Sequence, residues 1–257
     1  MLKDKKGFIC DMDGVIYHGN KLLPGVVEFV NWLKENNKHF LFLTNNSGKT
    51  RLQLQTKLRK MGLEVEEENF YTAALATAKF LKSQGAKTAY VIGDFALAGA
   101  LSDEGIAFDQ DNPEYVVIGE TMDYNYDKIK KATLLVNNGA KLIGTNTDIT
   151  APTEEGIIPA CRALVAPVEC ATGKKAYFVG KPNPLMMRTA VEIFHKYGIH
   201  SKDVAMVGDR MDTDIIAAIE SGLDSVLVLT GVTSEKTLEE FPYRPKFVYA
   251  NVGEIIK

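Results

Sequence analysis

Short apolar runs alternate along this chain with stretches whose apolar positions recur every three or four residues. Residues 6–10, 39–43, 89–92, 115–118, 141–143, 176–179, 204–207 and 225–229 read as strands. Several are continuously apolar, the pattern of parallel strands covered on both faces. Between them lie helices with readable ends. Pro24 opens one that carries Val26, Phe29, Val30 and Leu33 on a single face, and Thr50 caps another that stops near Gly62. A helix near 72–83 follows. Asn183-Pro184 starts the next, which runs to Gly198, and a last one spans about Thr213 to Gly222. Strand–helix alternation of this kind predicts an α/β protein with a mainly parallel sheet and right-handed crossovers.

In open α/β sheets, ligands sit beyond the carboxyl ends of the strands. The residues that follow four of the strands form a distinctive set. FIC runs into DMDG, FLFL into TNNSGKT, AYFV into GKP, and AMV into GDRMDTD. Gathered at one rim, these segments would bring together Asp11, Asp13, Thr44, Asn45, Lys181, Asp209 and Asp214. Each segment alone has a plain structural reading: Asp and Gly favour turns, TNN can cap a helix, and acids suit a helix N-terminus. Four such segments in this order, all at strand ends, do not. The SGKT segment at 47–50 imitates a phosphate-binding loop, but that motif needs glycine where Leu43 stands, so triphosphate binding there is rejected.

Composition narrows the classes. The chain has 257 residues, 46% hydrophobic and 25% charged, with a formal net charge of −3. That is an ordinary globular mix with no electrostatic footprint for nucleic acid or an anionic membrane. No apolar run approaches bilayer length, and the charged MLKDKKG start lacks a secretory pattern. Cys10, Cys161 and Cys170 make an odd count without a CxxC pair, which suits reduced thiols in the cytoplasm.

DMDGVIYHG, LTNNSGKT, VGKPNP and VGDRMDTD together resemble the four motifs of the haloacid dehalogenase superfamily of phosphohydrolases. The wording TNNS and GDRMDTD resembles its type IIA, NagD-like or p-nitrophenyl-phosphatase branch. The resemblance implies a Rossmann-like core, an inserted α/β cap domain and Mg²⁺-dependent hydrolysis of small phosphorylated metabolites through an aspartyl-phosphate. It makes Asp11 the nucleophile and Asp13 the general acid and base. It assigns Mg²⁺ to the Asp11 carboxylate, the Asp13 backbone carbonyl and Asp209, with Asp214 behind them. Lys181, the Thr44 hydroxyl and the Asn45 amide would hold the phosphate.

Spacing locates the second domain. The interval between Asp13 and Thr44 holds one helix, whereas that between Thr44 and Lys181 far exceeds a crossover. The expected division is therefore a core from residues 1–85 and 176–257 and a cap over 86–175. In the cap, Asp148 of TNTD either faces a ligand or serves a turn. Arg162 stands where the family's glycine-rich stretch would be, either on a solvent-facing helix position or against substrate. His18 lies near the catalytic loop without a partner that marks a site. A homodimer is compatible with the family. A phosphotransferase, a phospho-Asp receiver module and a carbon–halogen hydrolase are the rival readings; the last two have no use for Asp13.

Overall fold

The computed structural model describes residues 2–153 and 156–257. They form two compact units. The first comprises the chain up to Thr44, Arg51–Tyr71 and Lys181–Lys257; the second comprises Asn45–Thr50 and Thr72–Gly180.

The first unit is built on a six-stranded sheet. Its order is Phe247–Tyr249, Asp224–Val228, Val204–Gly208, Gly7–Cys10, His39–Thr44 and Phe70–Thr72. Gly7–Cys10 lies inside the sheet and pairs in parallel with neighbours on both sides. Phe8, Ile9 and Cys10 are wholly buried, which explains the unbroken apolar run. Helix Val26–Glu35 buries Val26, Phe29, Val30 and Leu33, and the Phe29 ring meets Phe8 edge-on at 5.8 Å. It begins two residues after Pro24 because Gly25 takes a left-handed φ of 80° at the cap.

Helix Pro184–His195 starts as its sequence predicts. Proline occupies the first turn and the Asn183 side chain accepts a hydrogen bond from the Leu185 amide at 2.9 Å. The segment expected to be one helix from Thr213 is instead a π-helical turn over Met211–Ile215 followed by an α-helix over Ile216–Glu220. The Arg210 carbonyl accepts from both the Asp214 and Ile215 amides there, and the Asp214 carboxylate caps the turn by accepting the Asp209 and Arg210 amides.

The second unit holds a five-stranded parallel sheet. Its order is Tyr177–Phe178, Lys141–Gly144, Tyr115–Ile118, Thr88–Ile92 and Ala107–Phe108. Helices Ala73–Ser83, Phe95–Asp103, Tyr126–Asn137 and Cys161–Thr172 accompany it, and Thr150–Thr153 pairs antiparallel with Gly156–Pro159. Ile92, Val116, Ile118, Val136, Val165 and Val168 form its centre.

Two placements differ from the sequence reading. The helix at 73–83 packs on Phe95–Asp103 and belongs to the second unit. The strand before Lys181 also belongs there, because Tyr177–Phe178 pairs with Ile143 and Gly144. Gly144 makes that pairing possible: a Cβ there would lie 2.3 Å from the Phe178 ring. Lys181 is therefore delivered by the chain returning from the second sheet, not by a strand of the first. Short, edge or strongly paired elements lie outside the sequence pattern: Phe70–Thr72, Ala107–Phe108, Phe247–Tyr249 and the pair Thr150–Thr153 with Gly156–Pro159. Among the described residues no helix is long and apolar enough to cross a membrane.

Candidate active site

Strand register in the first unit brings three of the expected residues to one rim. Cys10 lies opposite Phe42 on one side and Val207 on the other. Asp11 follows directly and its amide donates to the Val207 carbonyl at 2.8 Å. Thr44 and Asp209 each come two residues beyond their register partners, so all three cluster where the sheet ends. Asp11, Thr44, Lys181, Asp209 and Asp214 are all buried.

Lys181 organises the cluster. Its Nζ donates to Asp11 Oδ1 and, at 2.7 Å, to Asp214 Oδ1. Burial works to lower the lysine's pKa, but Asp11 and Asp214 outweigh it and hold the ammonium form. Asp214 uses its other oxygen to accept from the Asp209 and Arg210 amides. Burial pushes the Asp11 carboxyl well above the usual range, with Lys181 opposing and the neighbouring Asp214 and Asp209 adding to it. Asp209 is pushed up to about 7, first by burial and then by Asp214.

Crowding of charge adds to burial in both shifts. Carboxylate oxygens of Asp11, Asp209 and Asp214 lie within 4.8 Å of one another. Fully ionised, they would leave two negative charges uncompensated by the single ammonium in a buried site, which is costly without a cation. Asp209 Oδ2 accepts from the Val232 amide at 2.7 Å, whereas its buried Oδ1 has no hydrogen-bond partner. A hard divalent ion bound by oxygen ligands supplies what both observations lack.

The loop after Ser225–Leu229 closes around this acid, and sequence reasoning missed it. Thr230 Oγ1 donates to the Gly14 carbonyl at 2.6 Å. A Cβ on Gly231 would fall 1.9 Å from Asp209 Oδ2, and one on Gly14, whose φ is +84°, 2.6 Å from it. The signal was present, since Thr230-Gly231 follows a strand as the other site segments do.

Asp13 departs from the buried group. Its side chain is half exposed and 3.8 Å from His18 Nδ1. The chain turns at Gly14, whose amide donates to Tyr17, so Asp11 and Asp13 have different surroundings rather than a shared buried face. Burial raises the Asp13 pKa, opposed by Lys57 and His18. A carboxyl poised upward yet open to solvent is suited to exchanging protons.

Asn45 and Asp148 belong to the second unit. Asn45 Nδ2 donates to Asp148 Oδ2 at 3.1 Å. The Asp148 amide donates to Asn146 Oδ1 and its carbonyl accepts from the Arg162 amide. Arg162 itself is only part-exposed: it pairs with Glu169 at 2.6 Å and lies 5.1 Å from the Phe178 ring centroid.

Comparison with known proteins points the same way. The model of the haloacid dehalogenase-like hydrolase family matches residues 8–107, and a second, HAD-hydrolase-like, matches residues 178–255. The chain is 41% identical over 249 residues to a dihydroxyacetone phosphatase of Corynebacterium glutamicum, covering 96% of this chain and 90% of that one. It is 40% identical to the ribonucleotide monophosphatase NagD of Escherichia coli, covering 97% and 98%. The solved structure of that protein superposes with a TM-score of 0.91. A glycerol phosphate phosphatase of Mycobacterium tuberculosis, solved in complex with magnesium, is 28% identical with a TM-score of 0.92, covering 99% of this chain and 77% of that one.

Proposed function

Because the chain belongs to the haloacid dehalogenase-like hydrolases, as a NagD-like phosphatase, we propose that it hydrolyses small phosphate monoesters in two steps through a phosphorylated Asp11. In the first step an Asp11 oxygen attacks phosphorus, the bond to the ester oxygen breaks, and Asp13 gives that oxygen its proton. In the second, Asp13 takes a proton from water, the hydroxide oxygen bonds to phosphorus, and the phosphorus–Asp11 bond breaks to release phosphate. Splitting the displacement in this way avoids aligning water, phosphate and leaving group at once.

Lys181 serves both steps by its placement. Hydrogen bonded to Asp11 Oδ1, it orients the carboxylate and leaves the other oxygen to act as the nucleophile. Asp214 fixes the lysine. Thr44 and the Asn45 amide are assigned to the equatorial phosphoryl oxygens, where donors preorganised at the site assist charge development.

The Asp11 carboxylate, the Asp13 carbonyl and Asp209 would hold Mg²⁺, with the orphaned Asp209 Oδ1 the observation that carries this part of the reading. When bound, the ion offsets the repulsion between the phosphate and the carboxylates. EDTA is expected to silence turnover of p-nitrophenyl phosphate and Mg²⁺ to restore it. Asp209→Asn should raise the half-saturating Mg²⁺ concentration roughly tenfold or more, the least that losing a direct ligand should cost. Full activity in chelator, or an unshifted Mg²⁺ titration, contradicts the assignment.

We assign the covalent chemistry to the first unit and substrate choice to the second, which also lends the Asn45 amide to the phosphoryl group, and place the reaction in the cytoplasm on small metabolites. Asp148 is the test residue. Asp148→Ala should change the relative kcat/KM of different phosphate esters while leaving inhibition by vanadate nearly unchanged. An unaltered ranking in a folded variant makes Asp148 a turn residue. A phosphotransferase would use the same groups and differ only in the acceptor; transfer to an added alcohol in place of water reports it.

A further inference from the structure

The second unit contains a carboxylate that the mechanism does not use. Glu120 follows the Tyr115–Ile118 strand and is half-buried, a position that is unfavourable for an acid unless donors compensate it. Burial raises its pKa, opposed by hydrogen bonds from Ser47 and Asn146. Three donors converge on it. Ser47 gives Oε2 both its amide, at 2.8 Å, and its hydroxyl; Asn146 Nδ2 donates to Oε1. The Ser47 hydroxyl in turn accepts from the Glu120 amide and from Thr145 Oγ1, each at 3.1 Å.

The same Asn146 amide group also donates to the Asn45 carbonyl at 2.6 Å, while Asn45's own side chain is held by Asp148. Ser47, Thr145 and Asn146 are wholly buried, so the donors of this network are shielded from water while Glu120 itself is half-buried. The Asn45 carbonyl is thus held by Asn146, whose amide group is itself held by Glu120, whereas the Asn45 side chain rests on Asp148 outside that network. We propose that Glu120 is a positioning residue for phosphoryl transfer, holding the 45–47 loop so that the Asn45 amide meets the transferring oxygens. The inference rests on the phosphatase reading and on the role given there to Asn45.

The network's polarity makes the proposal specific. Both Glu120 oxygens accept and neither is asked to donate. A glutamine would have to point its NH₂ either at the Ser47 amide or at Asn146 Nδ2. Asn146 cannot flip to receive it, because its Oδ1 already accepts from the Asp148 amide. An isosteric change therefore loosens the loop without emptying any volume.

The test compares the wild type with Glu120→Gln and Ser47→Ala. It measures kcat/KM for p-nitrophenyl phosphate and for glycerol phosphate, inhibition by orthovanadate, and the Mg²⁺ half-saturation. Glu120→Gln should lower kcat/KM by about tenfold to a hundredfold, less than deleting a transition-state donor outright. The loss should be equal for the two esters, because only the shared phosphoryl group is affected. Vanadate inhibition should weaken by a similar factor and the Mg²⁺ requirement should stay unchanged. Ser47→Ala should show the same pattern at smaller amplitude, and it decides the matter should Glu120→Gln not fold. Wild-type kcat/KM and vanadate inhibition in folded variants would overturn the proposal. So would unequal losses between the esters, which assign the network to leaving-group recognition. A wild type that turns over neither ester defeats the phosphatase reading itself, a failure visible before any variant is measured.

Discussion

Asp11→Asn is expected to reduce turnover of p-nitrophenyl phosphate to background, a loss of at least about 10³-fold, as when an enzyme loses its nucleophile. An amide has the shape of the carboxylate but neither its charge nor its nucleophilicity. The protein should stay folded. Lys181 keeps Asp214 at 2.7 Å, so no buried ammonium is stranded. Removing one of three mutually repelling acids also relieves the crowding that raises Asp11 and Asp209. The thermal midpoint should therefore be no lower than that of the wild type. Catalysis lost with stability retained separates a chemical role for Asp11 from a structural one, and wild-type turnover in the variant would end the mechanism.

Asp13→Asn should also cripple turnover, by roughly 10²-fold or more, the usual contribution of general acid–base help. Its two duties make the loss depend on the ester. A poor leaving group such as an alkoxide needs the proton as the ester bond breaks, so its first step should slow most. Nitrophenolate leaves without that help, and its loss should appear in the second step, where water still requires a base. Stability should change little, because the Asp13 side chain is half exposed and the His18 ring beside it is more exposed still. Equal losses for good and poor leaving groups would remove the proton-donor role from Asp13. Measuring kcat across leaving groups of graded acidity provides the check.

The core site was legible because its segments follow buried apolar strands. DMDG, TNN and GDRMDTD each interrupt a run that register then aligns at one rim. Lys181 was found for a partly mistaken reason. AYFV reads as a buried strand in either sheet, and only the space above Gly144 decides that Phe178 joins the second. Local pattern carries no information about which sheet a short apolar run will join.

Asn45 shows the same limit at the level of domains. Its neighbour Thr44 ends a strand of the first unit, yet bonds to Asp148 and Asn146 more than a hundred residues away tie Asn45 into the second. Glu120 was illegible outright. One acid after a strand has no motif, and its meaning arises only when Ser47 and Asn146 donate to it across long loops. Asp214 lies between these cases: its place in GDRMDTD was readable, but not the π-turn in which it sits.

The covalent step is the centre of the account, and it can be caught directly. With its second step slowed, the Asp13→Asn variant mixed with p-nitrophenyl phosphate and Mg²⁺ should accumulate phosphoenzyme, which acid quenching preserves for peptide mass spectrometry. The account predicts one added phosphoryl group on the peptide containing Asp11, absent when Asp11→Asn is introduced as well. A phosphoryl group on any other residue, or its absence from a variant that still releases nitrophenolate in a burst, would contradict it.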